Sequence, residues 1–193
     1  MKKVLLASLV VLFCGTVILS CKKSSSSDNN GGCTNNGKFT FLKTGNKLVY
    51  EYSDLLSADT LLTFDIGAKS SAGSYLVNLT GGGYLVSSGG DKRYMKECND
   101  WLLIGVTGEP TDSSKEFPAT RALGQTWTMN GATFKVVASN VPVVTPAGTF
   151  NADKITYYQA NAFNTDTIYF NNSIGYIKYD GFIDNYTLKS KNF

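Results

Sequence analysis

From Lys38 to the C-terminus the chain is a series of short runs of alternating polar and apolar residues, separated by Gly, Asn, Asp and Ser. A run recurs roughly every ten to twelve residues, and helical periodicity is scarcely present. Because strand side chains point alternately to two faces, this alternation predicts strands half buried in a sheet. Connections this short favour antiparallel neighbours. We therefore expect an all-β domain over 38–193, an antiparallel meander forming a curled sheet, half-barrel or sandwich.

The alternation places the individual strands, and one longer segment separates them into two groups. Segment 109–123 carries Pro110 and Pro118 and little alternation, so we expect a long crossover loop that divides the domain into two sheets. The expected strands are 38–43, 47–53, 60–67, 74–80, 83–88, 92–97, 101–107, 125–130, 133–139, 149–159, 165–171, 175–179 and 185–190.

Aromatic residues fall on both faces of the last expected strands. Ile168 and Phe170 share one face and Tyr169 lies on the other, while Tyr176 and Tyr179 are expected on opposite faces. An antiparallel sheet usually keeps one face polar. A second aromatic face therefore needs a covering layer, a ligand or a partner.

The N-terminal segment has the organisation of a secretory signal. Met1, Lys2 and Lys3 precede an apolar run over 4–19 that ends at Ser20 and Cys21. The run is shorter than the roughly twenty residues that a membrane-spanning helix needs. We therefore predict a signal peptide over 1–20. Segment 21–37 is polar apart from its cysteines and is expected to be a flexible tether.

Ile18-Leu19-Ser20-Cys21 resembles the bacterial lipobox, in which small residues precede a cysteine that becomes the lipidated N-terminus. The resemblance implies an acyl chain such as palmitate on Cys21 and attachment to a membrane through that lipid. The alternative is an ordinary signal peptide with an incidental cysteine. The Ser- and Asn-rich tether resembles lipoproteins of the Bacteroidota, which implies the outer membrane and leaves open which side the domain faces.

A second resemblance lies in the C-terminal half. Thr145-Pro146-Ala147-Gly148-Thr149-Phe150 is similar to a turn in uncharacterised bacterial lipoprotein domains, where it starts a β-meander. Pro146 presets such a turn and Gly148 permits a positive φ. The resemblance implies a curled antiparallel sheet related in shape to lipoprotein carriers that cradle acyl chains, and it names no chemistry.

The composition excludes several kinds of function. The sequence has no histidine, so a Ser-His-Asp or Cys-His site is excluded and a resident metal or cofactor is not expected. Once the signal with its two lysines is removed, basic and acidic residues are nearly equal in number, which argues against a nucleic-acid partner. We expect no catalytic residues. A paired-carboxylate glycosidase stays formally open, with Glu51, Glu97, Asp100, Asp180 and Asp184 as its candidates.

The remaining cysteines and the aromatic residues supply the candidate sites. Cys33 and Cys98 are left to form a disulfide in an oxidising compartment or to stay as free thiols. Aromatic side chains can stack on sugar rings or line an apolar cradle, or they can simply form the core. The candidate ligand-binding residues are Trp101, Trp127, Tyr157, Tyr169, Tyr176 and Tyr179.

These observations leave two functions. The first is a non-catalytic, membrane-anchored envelope lipoprotein whose domain binds an apolar or glycan ligand, or an envelope protein. The second is a structural or assembly lipoprotein that acts only through protein contacts. A cavity lined by Trp101, Trp127 and the C-terminal tyrosines would favour the first, and a filled core with a flat aromatic patch would favour the second.

Overall fold

The computed structural model describes residues 33–55, 59–83, 85–86, 90–159 and 164–193. The signal peptide expected over 1–20, the lipidation site Cys21 and most of the expected tether lie outside them. In the described residues the protein is all-β, as the alternation predicted. A short 3-10 helix, Asp112–Ser114, and a helical turn at Gly83, Leu85 and Val86 are the departures from strand and loop there.

The strands of the described residues are numbered β1 to β12 along the chain. Their bounds are Lys47–Asp54, Thr60–Lys69, Tyr75–Gly81, Lys92–Cys98, Trp101–Gly105, Lys115–Pro118, Thr126–Met129, Ala132–Thr145, Gly148–Gln159, Thr165–Asn171, Gly175–Asp180 and Asp184–Lys191.

All twelve strands belong to one antiparallel sheet with the order β6-β5-β4-β3-β2-β1-β12-β11-β10-β9-β8-β7. Each half of the chain is a meander, and the two halves join where β1 pairs with β12, with Tyr52 opposite Tyr186. The division into two sheets near 109–123 is therefore wrong. The first and last strands hydrogen-bond to each other and make the two meanders continuous.

The sheet curls until its two edges, β6 and β7, approach each other. Phe117 of β6 stacks on Phe170 of β10, with ring centroids 4.3 Å apart. The indole Nε1 of Trp127 in β7 donates a hydrogen bond of 2.8 Å to the carbonyl oxygen of Glu116 in β6. The result is a nearly closed, barrel-like sheet with the core inside.

Alternation along each strand selects the side chains that fill this interior. In β2, Leu62, Phe64 and Ile66 are buried, and in β1 Tyr50 and Tyr52 are buried between more exposed neighbours. Burial of one such side chain contributes about 1.5 to 3 kcal/mol. The period-two pattern that predicted the strands is thus the pattern that forms the core.

One end of the barrel is closed by a segment that we expected to be a strand. Residues 38–43 form a turn rather than a strand, and Phe39 and Phe41 insert into the core against the ring of Phe170. Gly175 permits the approach because it has a φ of 88° and a Cβ there would lie 3.2 Å from the Phe41 ring. The apolar residues of this segment therefore form a plug in the core and do not belong to a strand.

Two further expectations need correction. The strand expected over 83–88 is wrong where the segment is described, because Gly83, Leu85 and Val86 are helical. The loop expected over 109–123 contains β6, in which Phe117 is fully buried. Four residues with a proline at the end are too short to give an alternation signal, and as an edge strand β6 tolerates Pro118.

The turn within Thr145-Pro146-Ala147-Gly148 connects β8 to β9. Gly148 has a φ of 125°, and the Thr145 hydroxyl donates to the Gly148 carbonyl and accepts from the Ala147 N–H. The turn thus satisfies its own polar groups. This hairpin supports the two longest strands of the sheet, Ala132–Thr145 and Gly148–Gln159.

Candidate functional site

A cavity of about 340 Å³, partly open to solvent, lies on the inner side of the curled sheet. It is within the size range of small-molecule sites. We call it the tyrosine cavity, because tyrosines supply most of its aromatic wall. Its lining residues come from seven strands and the helical turn: Leu85, Glu116, Met129, Phe134, Tyr157, Ile168, Tyr176, Tyr179, Asp184 and Tyr186.

A β-bulge places Tyr176 and Tyr179 on the same side of the sheet. Between β10 and β11, Tyr169 pairs with Lys178 but Phe170 pairs with Tyr176, so Ile177 is an extra residue on β11. The alternation predicted opposite faces for Tyr176 and Tyr179, and that expectation is wrong. Because the bulge shifts the side-chain parity by one, both tyrosines reach the cavity.

The aromatic rings of the cavity pack edge to face and in stacks. Phe134 and Tyr157 have centroids 5.0 Å apart, and Tyr179 stacks on Tyr186 at 5.1 Å. Tyr176 meets Tyr186 edge-on at 6.1 Å. These separations are those of favourable aromatic pairs. The rings therefore hold one another in place and leave the cavity between them.

Polar groups interrupt the aromatic wall. The Tyr179 hydroxyl donates to a carboxylate oxygen of Asp166 at 2.6 Å, and the other oxygen accepts from the Phe182 N–H at 3.1 Å. Asp166 therefore fixes Tyr179 and the turn after β11 together. This network sets the orientation of one wall of the cavity.

Two carboxyl groups line the cavity itself. Burial raises the pKa of Glu116 to about 7, and a hydrogen bond from the Tyr176 hydroxyl acts in the opposite direction. Burial also raises the pKa of Asp184, and the charge of Asp166 adds to that effect. Near neutral pH a substantial fraction of Glu116 is therefore protonated, and it can both donate and accept hydrogen bonds.

A smaller cavity of about 110 Å³ adjoins the tyrosine cavity and shares Leu85, Tyr176 and Tyr186 with it. Arg93 and Met95 line this second space. The guanidinium of Arg93 donates to the carbonyl oxygens of Gly90 and Lys92. Burial lowers the pKa of Arg93, and the adjacent Tyr176 and Tyr186 act against that shift. A cation thus lies behind the tyrosine wall and not on the cavity lining.

The structure brings together some of the candidate ligand-binding residues and separates others. Tyr157, Tyr176 and Tyr179 line the cavity. Trp127 stacks on the cavity residue Phe134 at 5.4 Å, and Trp101 meets Trp127 edge-on at 6.4 Å, so both tryptophans lie behind the wall.

Tyr169 is on the other face of the sheet. It alternates with the buried Ile168 and Phe170, and its ring lies 5.8 Å from the Lys154 Nζ and 5.9 Å from the Lys178 Nζ. Its neighbours on β9 and β11 are therefore both lysines. Tyr169 belongs to the outer surface and contributes nothing to the cavity.

Cys33 and Cys98 form a disulfide that attaches the end of the tether to β4, with Cα atoms 4.9 Å apart. The neighbouring carboxylate of Glu97 is buried and accepts hydrogen bonds from the backbone N–H groups of Asn36, Lys38 and Phe39. The expected flexible tether over 21–37 therefore ends earlier, since its last five residues are held against the domain.

The carboxylates considered for a glycosidase are divided among several parts of the barrel, although Glu97 and Asp100 both bind Asn36. Glu51 pairs with Lys189 at 3.4 Å, and Asp180 pairs with Lys178 at 2.9 Å. Glu97 binds backbone N–H groups, and Asp100 accepts from the side chain of Asn36. Of the five, Asp184 alone lines the tyrosine cavity, where its carboxyl neighbour is the unexpected Glu116.

Two further concave surfaces in the described part of the chain lie outside the tyrosine cavity. An outer groove of about 570 Å³ runs over β1, β2 and β12 past Glu51 and Lys189. A second, of about 270 Å³, contains the ion pair between Arg121 and Asp153. In the described residues no cluster of three or more Cys, Asp or Glu side chains could hold a metal ion. We found no apolar helix of membrane-spanning length among those same residues.

The polar and aromatic cavity residues that were not among the ligand-binding candidates are Glu116, Phe134, Asp184 and Tyr186; Asp184 was considered only for a glycosidase. Phe134 and Tyr186 occupy the inward positions of expected strands, so period-two counting could have included them. Glu116 lies on the unexpected strand β6 and carried no such signal. Its position depends on the curl of the whole sheet.

The fold and the cavity define this chain as an all-β protein with a nearly closed antiparallel sheet and an internal aromatic site. No family model matches the sequence, and no curated protein matches it. Among solved structures, a chain described as a "putative lipoprotein" from Parabacteroides distasonis matches with a TM-score of 0.41 and 9% identity. The match covers 78% of this chain and 96% of the other. At that level the similarity carries no statement about function.

Proposed function

We propose that the protein is a lipid-anchored envelope lipoprotein whose barrel is a non-catalytic binding module for one small ligand. The tyrosine cavity is the observation that carries the proposal, because it combines an aromatic wall with a few convergent polar groups in about 340 Å³. The lipobox-like sequence ending at Cys21 supports the anchor, and its Bacteroidota-like tether supports the outer membrane.

The cavity favours a ligand that has both an apolar face and polar groups. The rings of Phe134 and Tyr157 offer flat surfaces to stack on, and Glu116 and Asp184 offer hydrogen-bonding oxygens at the same site. A purely aliphatic chain would leave these carboxyl groups without polar partners, which costs free energy. Of the ligands expected from the sequence, a glycan-like ring therefore fits better than an acyl chain.

A binding screen with defined probes tests the proposal. Isothermal titration of the full chain, held in a polyoxyethylene detergent, would use N-acetylglucosamine, palmitate and choline as probes. We expect at least one of them to bind, and we expect Tyr157→Leu to weaken that binding by about tenfold through loss of one stacked ring. Tyr158→Leu is the matched control, because the adjacent Tyr158 is exposed on the outer face.

Two results would contradict the proposal. Equal effects of Tyr157→Leu and Tyr158→Leu would place binding outside the cavity. No heat of binding with any probe would leave the structural or assembly function, which has its own support in the exposed side chains of Leu55, Phe182 and Ile183. These three apolar residues lie at one end of the barrel, where Leu55 N–H donates to the Ile183 carbonyl.

A further inference from the structure

The charged side chains on the described lining of the tyrosine cavity have one sign. Glu116 and Asp184 line it, Asp166 is bonded to its Tyr179, and none of its described lining residues is Lys or Arg. Ion pairs among the described residues include Arg121 with Asp153, Lys178 with Asp180 and Lys189 with Glu51. Neither cavity carboxyl group takes part in them. No charged residue occurs in the internal segments that the structure does not describe, which are 56–58, 84, 87–89 and 160–163.

The aromatic wall adds attraction for positive charge. Each ring face of Phe134, Tyr157, Tyr176, Tyr179 and Tyr186 carries partial negative charge, and a cation within about 6 Å of such a face gains roughly 0.5 to 2 kcal/mol. The stacked, tilted and edge-on pairs already described hold these rings around one space. Rings and carboxyl groups therefore favour the same kind of guest.

Arg93 is a basic residue on the lining of the adjoining space and is not on the lining of the tyrosine cavity. It donates to the Gly90 and Lys92 carbonyls, while its charge acts on Tyr176 and Tyr186. Glu116 and Asp184 thus lose water on folding without a basic side chain on the same lining. A bound cation would offset that cost, whereas a bound anion would increase it.

We infer that the tyrosine cavity selects a small organic cation, an amine or quaternary ammonium group, which the rings surround and the Glu116 and Asp184 carboxylates pair with. This inference rests on the proposed binding function and specifies its ligand class. A glycan-like ligand of this class is an amino sugar, and a simpler one is a choline-type group.

Binding of a cation is coupled to the release of a proton from Glu116. A cation pairs with the carboxylate form, so its affinity should rise as pH increases through the range in which Glu116 ionises. Asp184, Asp166, Asp54 and Arg93 also face this region, and Asp184 ionises with the same sign of effect. A neutral guest gains nothing from this ionisation.

The test compares choline with 3,3-dimethylbutan-1-ol, a neutral compound of the same shape. In titrations of the full chain at pH 8 we expect the affinity for choline to be at least about tenfold higher than the affinity for the alcohol. One cation–π contact contributes up to about 2 kcal/mol. Choline affinity should fall several-fold at pH 6, and that of the alcohol should not change. Glu116→Gln should bring the two affinities close together, whereas Glu51→Gln on the outer groove should not.

The possible outcomes separate the inference from the proposed function. Equal affinity for the two compounds, or an unchanged preference in Glu116→Gln, would overturn the cation inference and leave a cavity that binds neutral guests. Failure of choline, the alcohol, N-acetylglucosamine and palmitate alike would overturn the binding function itself. Because Glu116→Gln preserves shape, its circular dichroism spectrum should match that of the unaltered chain and confirm that the variant is folded.

Discussion

Glu116 is a carboxyl group that loses water on folding and gains no basic neighbour on the cavity lining. Its raised pKa follows from burial, and the Tyr176 hydroxyl compensates only in part. In the folded protein it therefore keeps its proton at a pH where the unfolded chain has already lost it. Each unit of pKa difference corresponds to about 1.4 kcal/mol, so one residue couples stability to pH.

The sign of this coupling gives the first prediction. Below the ordinary pKa of 4.5 both states are protonated, and between 4.5 and about 7 only the unfolded state ionises. Stability should therefore fall as pH rises through this window and level off above it. Glu116→Gln should remove most of this fall, so that its stability relative to the unaltered chain increases by about 3 kcal/mol between pH 4 and pH 8.

Urea unfolding at several pH values measures this difference. Glu51→Gln serves as the control, because Glu51 is exposed and should leave the pH profile parallel to that of the unaltered chain. A parallel loss of stability in Glu116→Gln and the unaltered chain from pH 4 to pH 8 would contradict this coupling. Burial also raises the pKa of Asp184, which acts with the same sign, so some slope should persist in the variant.

At this scale the sequence predicted the inward tyrosines better than the carboxyl groups. Tyr157 follows from strand alternation, because its neighbours Thr156 and Tyr158 belong to the other face. Glu116 could not be placed, because its strand is short and its cavity neighbours come from the distant C-terminal half. The local alternation of residues predicts on which face of the sheet a side chain lies. It does not predict which side chains from distant strands lie next to it on that face.

Among the elements, the segment before β1 has no regular structure and is nevertheless fixed. The Cys33–Cys98 disulfide and the Glu97 carboxylate hold its start, and Phe39 and Phe41 hold its end in the core. The cysteine pairing does not follow from the sequence, since spacing along the chain does not give a Cα distance. The plug over 38–43 cannot be distinguished from a strand by sequence, because a plug and a short strand contain the same few apolar residues.

The second prediction concerns this attachment. Cys33→Ser and Cys98→Ser should each lower the free energy of unfolding by about 2 to 4 kcal/mol, because the bond closes a long loop in the unfolded chain. The double variant should lose no more than either single variant. Denaturation of the oxidised chain measures the loss, and reductant should reproduce it in the unaltered chain alone. Peptide maps with Cys33 and Cys98 separately alkylated under non-reducing conditions would contradict the pairing.

The bulge in β11 limits prediction at the scale of elements. An alternating sequence contains no sign that Ile177 is an extra residue, because the shift depends on the pairing with β10. The sequence therefore predicted the existence of β10 and β11 correctly and assigned one of the two tyrosines to the wrong face. The bulge at Ile177 therefore determines whether Tyr176 and Tyr179 lie on opposite faces of the sheet or line one cavity.

For the whole molecule, the essential feature is the approach of the two sheet edges. The pairing of β1 with β12 joins the meanders, and the curl brings β6 to β7 across the interior. Alternation predicted a curled sheet or half-barrel and could not give its closure, since closure depends on how far twelve strands twist together. The buried Arg121, bonded to Asp153, Asn172 and the Pro118 carbonyl, holds the β6–β7 connection on the C-terminal meander.

The last prediction tests this closure through Trp127. Trp127→Phe keeps an aromatic ring to stack on Phe134 and removes the hydrogen bond to the Glu116 carbonyl. Loss of one such bond costs about 1 kcal/mol, so amide exchange in Lys115–Pro118 and Thr126–Met129 should quicken several-fold while β1 and β12 stay protected. Trp101→Phe is the control, since Trp101 contacts Trp127 from the side.

Unchanged exchange in both edge strands of Trp127→Phe would mean that the curl is maintained by Arg121 and the stacked core alone. Because the same bond positions the backbone of Glu116, a change in edge exchange should also be accompanied by a change in the pH profile of stability.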